Sequence, residues 1–328
     1  MEQVQALKYN NKNSVIQLFR ALAIIAVVLI HDCPPDEWQA FCRPFINYAV
    51  ALFLFLSGYL TKDEPRDWKT FFTRRITRVL IPYTIWCLLY CCVTVRNLSK
   101  VPFAFVTSIA YYHLYYILVY MQFVLLTPLM LKLAKSRFRW VGWLVTPLAM
   151  MVLVYYASFI VPDNMPLAYI RLDCCLTWFV FYYLGLVLGN RFIDIRLSIG
   201  KLSVLYLISI VLQMVEGYLW LRNGAADIGN QLKLSSIISS TIALLIVHEV
   251  MREGRVHVNN RFLLLMGDFS FGIYLSHPMI KIMLYHLPYY QDIPYPICSV
   301  ILIVVTTAFC YYGSKLAGET VSKKLGLK

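Results

Sequence analysis

Arg20 and His31 are the side chains with chemical potential in the first long apolar stretch, Ser14 to Asp32, which reads SVIQLFRALAIIAVVLIHD. They stand eleven positions apart, which at 100° per residue is about 20° past three full turns, so both project from one helix face, separated by roughly 16 Å along the axis. A guanidinium is a fork for phosphate or carboxylate, and a neutral imidazole takes a proton near pH 7. An arginine in lipid costs a few kcal/mol unless it faces a bundle interior or a wet cavity. The plainer reading is a snorkelling Arg20 with His31 among the headgroups. Asp32 stands next to His31 and could orient its ring, although adjacent helical side chains diverge by 100°.

A second concentration of chemistry lies in FFTRRITRVLIPY, where Arg74, Arg75 and Arg78 follow two phenylalanines. Arg75 and Arg78 share a helix face at i and i+3, and Phe71, Phe72, Ile76 and Val79 can lie against the bilayer, which predicts an interfacial helix. Pro82 is then expected to kink or start the next span. Lipid headgroups explain such arginines as well as a phosphate-rich ligand does; Arg20, placed near the same leaflet, adds a third guanidinium for the latter. Just before this loop come Ser57, Gly58 and Tyr59, where Gly58 suits either close helix packing or backbone approach to a ligand. His113 opens a later span in YYHLYYI, an aromatic cluster expected at the membrane interface. In DFSFGIYLSHPMI, Ser270, Tyr274 and His277 fall at i, i+4 and i+7, a polar stripe hard to place against lipid. Glu216 is expected to meet water near an outer helix end.

The elements that must position these residues are membrane helices. Sixty per cent of the chain is hydrophobic and 14% charged, with a mean hydropathy of +0.64, outside the usual balance of soluble domains. Ten apolar runs are long enough to span, near 14–31, 44–60, 79–95, 111–133, 140–161, 172–190, 201–221, 231–251, 262–287 and 297–318. The fold class is therefore all-α, a polytopic membrane protein of about ten transmembrane helices. Of 30 lysines and arginines, 22 fall on the side shared by the two termini and 6 on the other, so the positive-inside rule puts both termini in the cytoplasm. The net charge of +13 is spread over alternate loops rather than one patch, which argues against nucleic acid. The nine cysteines show no zinc spacing, and no metal is expected. Cys33 and Cys42 share the first loop and could pair in an oxidising compartment. No cleavable signal and no appended soluble domain are apparent, so residues 1–328 read as a single transmembrane unit.

Taken together, these motifs resemble the acyltransferase-3 family of membrane-bound acyltransferases. The likeness rests on Arg20 and His31 in the first span, Ser57-Gly58-Tyr59 closing the second, and Arg74, Arg75, Arg78 and Pro82 in the basic loop. It continues with His113 to Tyr116, with YYLGLVLG in the sixth span, and with FSFGIYLSHP in the ninth. Phe271 departs from the tyrosine that often follows that serine. The resemblance implies transfer of an acyl group, commonly acetyl, from cytoplasmic acyl-CoA to a hydroxyl of a cell-surface glycan or lipid-linked saccharide, in the inner membrane of a bacterium. It implies acyl-CoA as co-substrate with no permanently bound cofactor, its phosphates held by Arg74, Arg75 and Arg78 beside Ser57, Gly58 and Tyr59. The thiol arm would run past Arg20 toward His31, the general base or, alternatively, a transient acyl carrier. Asp32, His113, Ser270, Tyr274 and His277 are further candidate site residues. Two other classes remain open: a transporter of a glycan or small metabolite, which should show internal symmetry and paired broken helices, and a non-catalytic scaffold.

Overall fold

The computed structural model describes residues 2–34, 37, 39–63, 67–95, 101–107, 110–161, 170, 172–225 and 228–327, with the backbone alone for 2–13 and 95. Of the basic residues behind the predicted topology, Arg66, Arg96, Lys100, Arg171 and Lys328, and the side chains of Lys8 and Lys12, lie outside this description. Every regular element among the described residues is helical. Eight helices are long and apolar enough to cross a membrane, and a ninth span forms if the bent pair Arg261–Asp268 and Ser270–Tyr285, which meet at 82°, counts as one. The run near 172–190 forms a shorter apolar helix, Cys175–Gly189. The chain is an all-α polytopic membrane protein.

The chain divides into two compact units. The first comprises residues 1–56 and 194–311. It holds α1 (Glu2–Asp32), the short α2 (Gln39–Cys42), most of α3 (Ala49–Tyr59), α9 (Ile199–Arg222), α10 (Leu234–Glu253), α11 (Arg261–Asp268), α12 (Ser270–Tyr285) and the first half of α13 (Ile297–Lys324). Within it α1 packs along α11 and α12, and α9 pairs with α10. The closest approach is set by Gly267 of α11, where a Cβ would stand 2.2 Å from the carbonyl oxygen of Gln17. No side chain larger than hydrogen fits there. The polar interior of this unit includes Asn47, whose amide donates to Gln213 Oε1 at 3.0 Å and to the Gly229 carbonyl at 3.3 Å, tying the start of α3 to α9.

The second unit takes residues 57–193 and 312–328. It contains the last turn of α3, α4 (Trp68–Tyr90), α5 (Val101–Val106), α6 (Tyr115–Lys135), α7 (Val141–Met150), α8 (Phe179–Gly189) and the end of α13. α7 continues through a wide turn at Met151–Tyr156 to Phe159. The predicted separation of an interfacial helix from a span beginning near 79 is corrected: α4 is one helix from Trp68 to Tyr90, with Pro82 inside it. Proline there removes only the bond to the Arg78 carbonyl, a loss that membrane helices tolerate through local adjustment. Asp67 starts α4 by accepting from the Lys69 and Thr70 backbone amides at 3.0 and 2.8 Å.

Two glycines lock the last turn of α3 onto α8. A Cβ on Gly58 would lie 2.2 Å from the Tyr182 carbonyl oxygen, and one on Gly189 would lie 2.2 Å from the Tyr59 carbonyl oxygen. The contact is reciprocal, backbone on backbone. Polar bonds finish it: Asn190 donates to the Thr61 carbonyl at 2.9 Å, and the fully buried Tyr182 hydroxyl meets Thr127 Oγ1 at 2.9 Å. Helices in lipid gain little from apolar burial against one another, so such close packing supplies much of their association. Gly58→Ala or Gly189→Ala is accordingly expected to cost about 1–3 kcal/mol by overpacking, read as a lower thermal midpoint in detergent. Ala substitution of Gly200, whose Cβ would meet nothing nearer than 3.7 Å, leaves the midpoint unchanged.

Candidate active site

The C-terminal turn of α1 carries His31 and Asp32 into contact with α12 and α13. His31 is half-buried and its ring stacks on that of His277, centroids 5.4 Å apart and planes inclined by 27°. His277 is fully buried, with Nδ1 at 2.9 Å from the Tyr274 carbonyl and 3.0 Å from that of Ile273. Both partners only accept, so a neutral His277 keeps its proton on Nδ1 and Nε2 is its basic nitrogen. Asp32 turns away from the ring beside it: its carboxylate pairs with Lys281 Nζ at 2.8 Å and accepts from Ser299 Oγ at 2.5 Å and Cys298 Sγ at 3.3 Å. Lys281 also donates to the His31 carbonyl at 3.0 Å. His31 thus faces a protein wall rather than fatty chains, within the electrostatic reach of His277, Arg43 and Lys281.

Lower on the same face of α1, the half-buried Arg20 donates to Gln17 Oε1 at 3.3 Å, and Gln17 is the residue whose carbonyl abuts Gly267. The bend after α11 therefore seats the start of α12 near the turn of α1 that carries Arg20. Ser270, Tyr274 and His277 form the predicted stripe on α12, all three buried. The Tyr274 and His277 rings lie 6.5 Å apart. The structure brings Arg20, His31, Asp32, Ser270, Tyr274 and His277 into one unit. An apolar crevice lined by Phe19, Leu22, Tyr48, Leu52 and Tyr206 occupies another side of α1. Leu22 stands 200° around the helix from Arg20, so the crevice is separate from the polar stripe.

Arg74, Arg75, Arg78, Ser57, Gly58, Tyr59 and His113 all belong to the second unit. Arg74 and Arg78 are exposed on the early turns of α4, and Arg75 is half-buried with its guanidinium 4.9 Å above the Phe71 ring. Tyr120 of α6 lies within electrostatic reach of Arg75 and Arg78. Gly58 is occupied by the α8 crossing, which accounts for the glycine by packing alone. His113 sits in a short turn before α6 and is fully buried between Tyr90 and Tyr111, edge-on at 5.2 and 5.4 Å. Within this aromatic cluster His113 is buried while Tyr112 stays exposed.

Further findings concern the remaining polar groups of the first unit. Glu216, expected to meet water, is half-buried and also accepts from the Ser235 backbone amide at 3.0 Å and from the Ser235 hydroxyl, so the expectation is not contradicted. Beside it Lys233 is fully buried and donates to the Ile228 carbonyl at 2.7 Å. Cys33 and Cys42 are free thiols. Among the described residues no group of three or more His, Cys, Asp and Glu side chains could hold a metal ion. Neither Lys281 nor Ser299 is among the candidate residues singled out from the sequence. The missed signal was spacing: Lys281 stands at i+4 from His277, on the same face of one helix.

A family model described as an acyltransferase domain, that of the acyltransferase-3 family, matches residues 13–315. The chain belongs to the acyltransferase-3 family. No curated protein and no solved structure matches it. The matched region contains every candidate residue above, and family membership makes this a membrane acyltransferase.

Lys233, between α9 and α10 and outside the spans, gives this acyltransferase a measurable pH signature. Burial pushes its ammonium down to about 8, the nearby Glu216 carboxylate opposes that shift, and the Arg43 guanidinium adds to it. The unfolded chain binds the proton more tightly, so stability rises with pH between about 8 and the unperturbed lysine value of 10.5. The thermal midpoint of the wild type minus that of Lys233→Met should rise with pH across that range.

Proposed function

We propose that this acyltransferase moves an acyl group, acetyl in the first instance, from acyl-CoA at the cytoplasmic face of a bacterial inner membrane to a hydroxyl of a surface glycan or lipid-linked saccharide. The observation that carries the reading is His31, an imidazole in a membrane helix of an acyltransferase, half-buried and stacked against a second histidine. A hydroxyl becomes an adequate nucleophile when a base takes its proton in the transition state. The acceptor O–H proton passes to His31 as its oxygen attacks the thioester carbonyl. The C–S bond then breaks, and the leaving thiolate recovers the proton from the imidazolium as CoA thiol. Electrons and protons balance without an additional reagent.

Arg74, Arg75 and Arg78 are proposed to bind the phosphates of CoA. Two of them are exposed and reachable, and α4 places Arg75 and Arg78 three residues apart on one face. With this sidedness both termini lie in the cytoplasm. Arg20 is proposed to meet the donor within the membrane.

His31→Ala is expected to insert and fold but to release no CoA thiol and form no acyl ester when membranes are supplied with labelled acetyl-CoA. Arg75→Gln with Arg78→Gln is expected to raise the KM for acetyl-CoA by roughly 10–100-fold with kcat retained, from the loss of charge-assisted bonds worth about 1.5–3 kcal/mol. Normal ester formation by His31→Ala would remove His31 from the chemistry. Movement of saccharide across vesicles without consumption of acyl-CoA would replace the reading with transport.

A further inference from the structure

We infer that Lys281 is a positioning residue for His31, holding the backbone of that residue while His277 holds its ring. The inference rests on the proposed role of His31 as the base. α12 presents His277 and Lys281 at i and i+4, on one face, to the end of α1. The ring of the first stacks on the His31 ring at 5.4 Å, and the ammonium of the second donates to the His31 carbonyl at 3.0 Å. One residue of α1 is thereby gripped at two points from one turn of a neighbouring helix.

The location explains the need. His31 lies in the last turn of α1, where carbonyls lack intrahelical donors and the helix end is free to fray. An ammonium supplies a donor and meets the negative end of the helix dipole. The same nitrogen is 2.8 Å from the Asp32 carboxylate, which is 1% exposed and whose other oxygen is taken by Ser299 and Cys298. Asp32 therefore holds the Lys281 ammonium in place, and α13 holds Asp32 in place. A neutral pair of similar shape could pack the same space. Methionine at position 281 could not donate to the His31 carbonyl as the lysine does.

The test compares Lys281→Met, Lys281→Arg, the double variant Asp32→Asn with Lys281→Met, and His31→Ala, each purified in lipid nanodiscs. Thermal midpoints are measured alongside CoA-thiol release from acetyl-CoA, with envelope glycan of the expressing cell as acceptor. Lys281→Met should lower kcat by about 10²-fold, the scale of a 1 Å misplacement, while the KM for acetyl-CoA stays at its wild-type value. The double variant removes the buried Asp32 charge together with its half-buried partner and should recover the wild-type thermal midpoint, yet keep the loss in kcat. Lys281→Arg should regain about tenfold of the loss, because it keeps the charge and the donors in a different shape. Wild-type kcat in Lys281→Met or in the double variant would overturn the inference, as would a double variant whose kcat returns together with its midpoint. If Lys281→Met fails to fold, the double variant decides. Inactive His31→Ala beside fully active Lys281→Met would sink this inference alone, whereas fully active His31→Ala would sink the role of His31 and this inference with it.

Discussion

Asp32 carries a negative charge at the end of a membrane-crossing helix, and lipid offers it no counter-ion. Its carboxylate has to be answered from within the protein, and the answer comes from two other helices: Lys281 of α12, and Ser299 and Cys298 of α13. Removing one partner of such a buried pair typically costs about 3–5 kcal/mol, far more than forming the pair gains, so the arrangement acts as a constraint on which helix ends can meet. The ends of α1, α12 and α13 are fixed by that constraint. With Lys281 at Asp32, the residue one turn before it on α12, His277, lies against His31. The imidazole stack and the ion pair share the same two helix ends.

The second constraint is how closely helices approach where apolar burial gives no net drive. Each unit meets it with glycine against carbonyl. In the first, Gly267 brings α11 onto α1 at Gln17, the residue that also accepts from Arg20. In the second, Gly58 and Gly189 exchange contacts across α3 and α8, and the buried Tyr182 hydroxyl satisfies its polar neighbours there. Small residues thereby place the candidate site as firmly as the chemical ones do. Gly267 sets the depth of the α12 stripe relative to Arg20, and Gly58 sets the start of the loop that leads to α4.

Much of this was legible in the sequence because hydropathy and helical spacing act locally. The apolar runs, the shared face of Arg20 and His31, and the stripe of Ser270, Tyr274 and His277 follow from composition and 100° per residue. The partner of Asp32 was not legible: it lies 249 positions away, and nothing local distinguishes a paired lysine in a span from a snorkelling one. Adjacency suggested that Asp32 would serve His31, yet helical divergence turns its carboxylate to other helices. The same limit applied at His113, whose packing between Tyr90 and Tyr111 joins residues more than twenty positions apart. Of the two outcomes open at Pro82, a kink or a helix start, the start is excluded for a related reason. Its local effect is the loss of one hydrogen bond, and whether a helix ends there depends on what surrounds it.

Anion binding and proton removal ask for opposite surroundings, and the residues proposed for each are found in them. Guanidiniums that capture a phosphate from water must stay reachable, and Arg74 and Arg78 are exposed on a helix whose first turn is capped by Asp67. That cap is strong because the Thr70 hydroxyl and the Thr70 and Lys69 amides hold the Asp67 carboxyl below its ordinary range, so it stays charged wherever the guanidiniums are needed. A base that must not be swamped by solvent is better half-buried with fixed neighbours, and His31 has a ring on one side and an ammonium on its carbonyl. Moving either set into the other's setting would fail on elementary grounds: a buried arginine cluster would repel itself, and an exposed imidazole at a helix end would lose its orientation. The separation of the two sets along the sequence therefore follows from the chemistry asked of each.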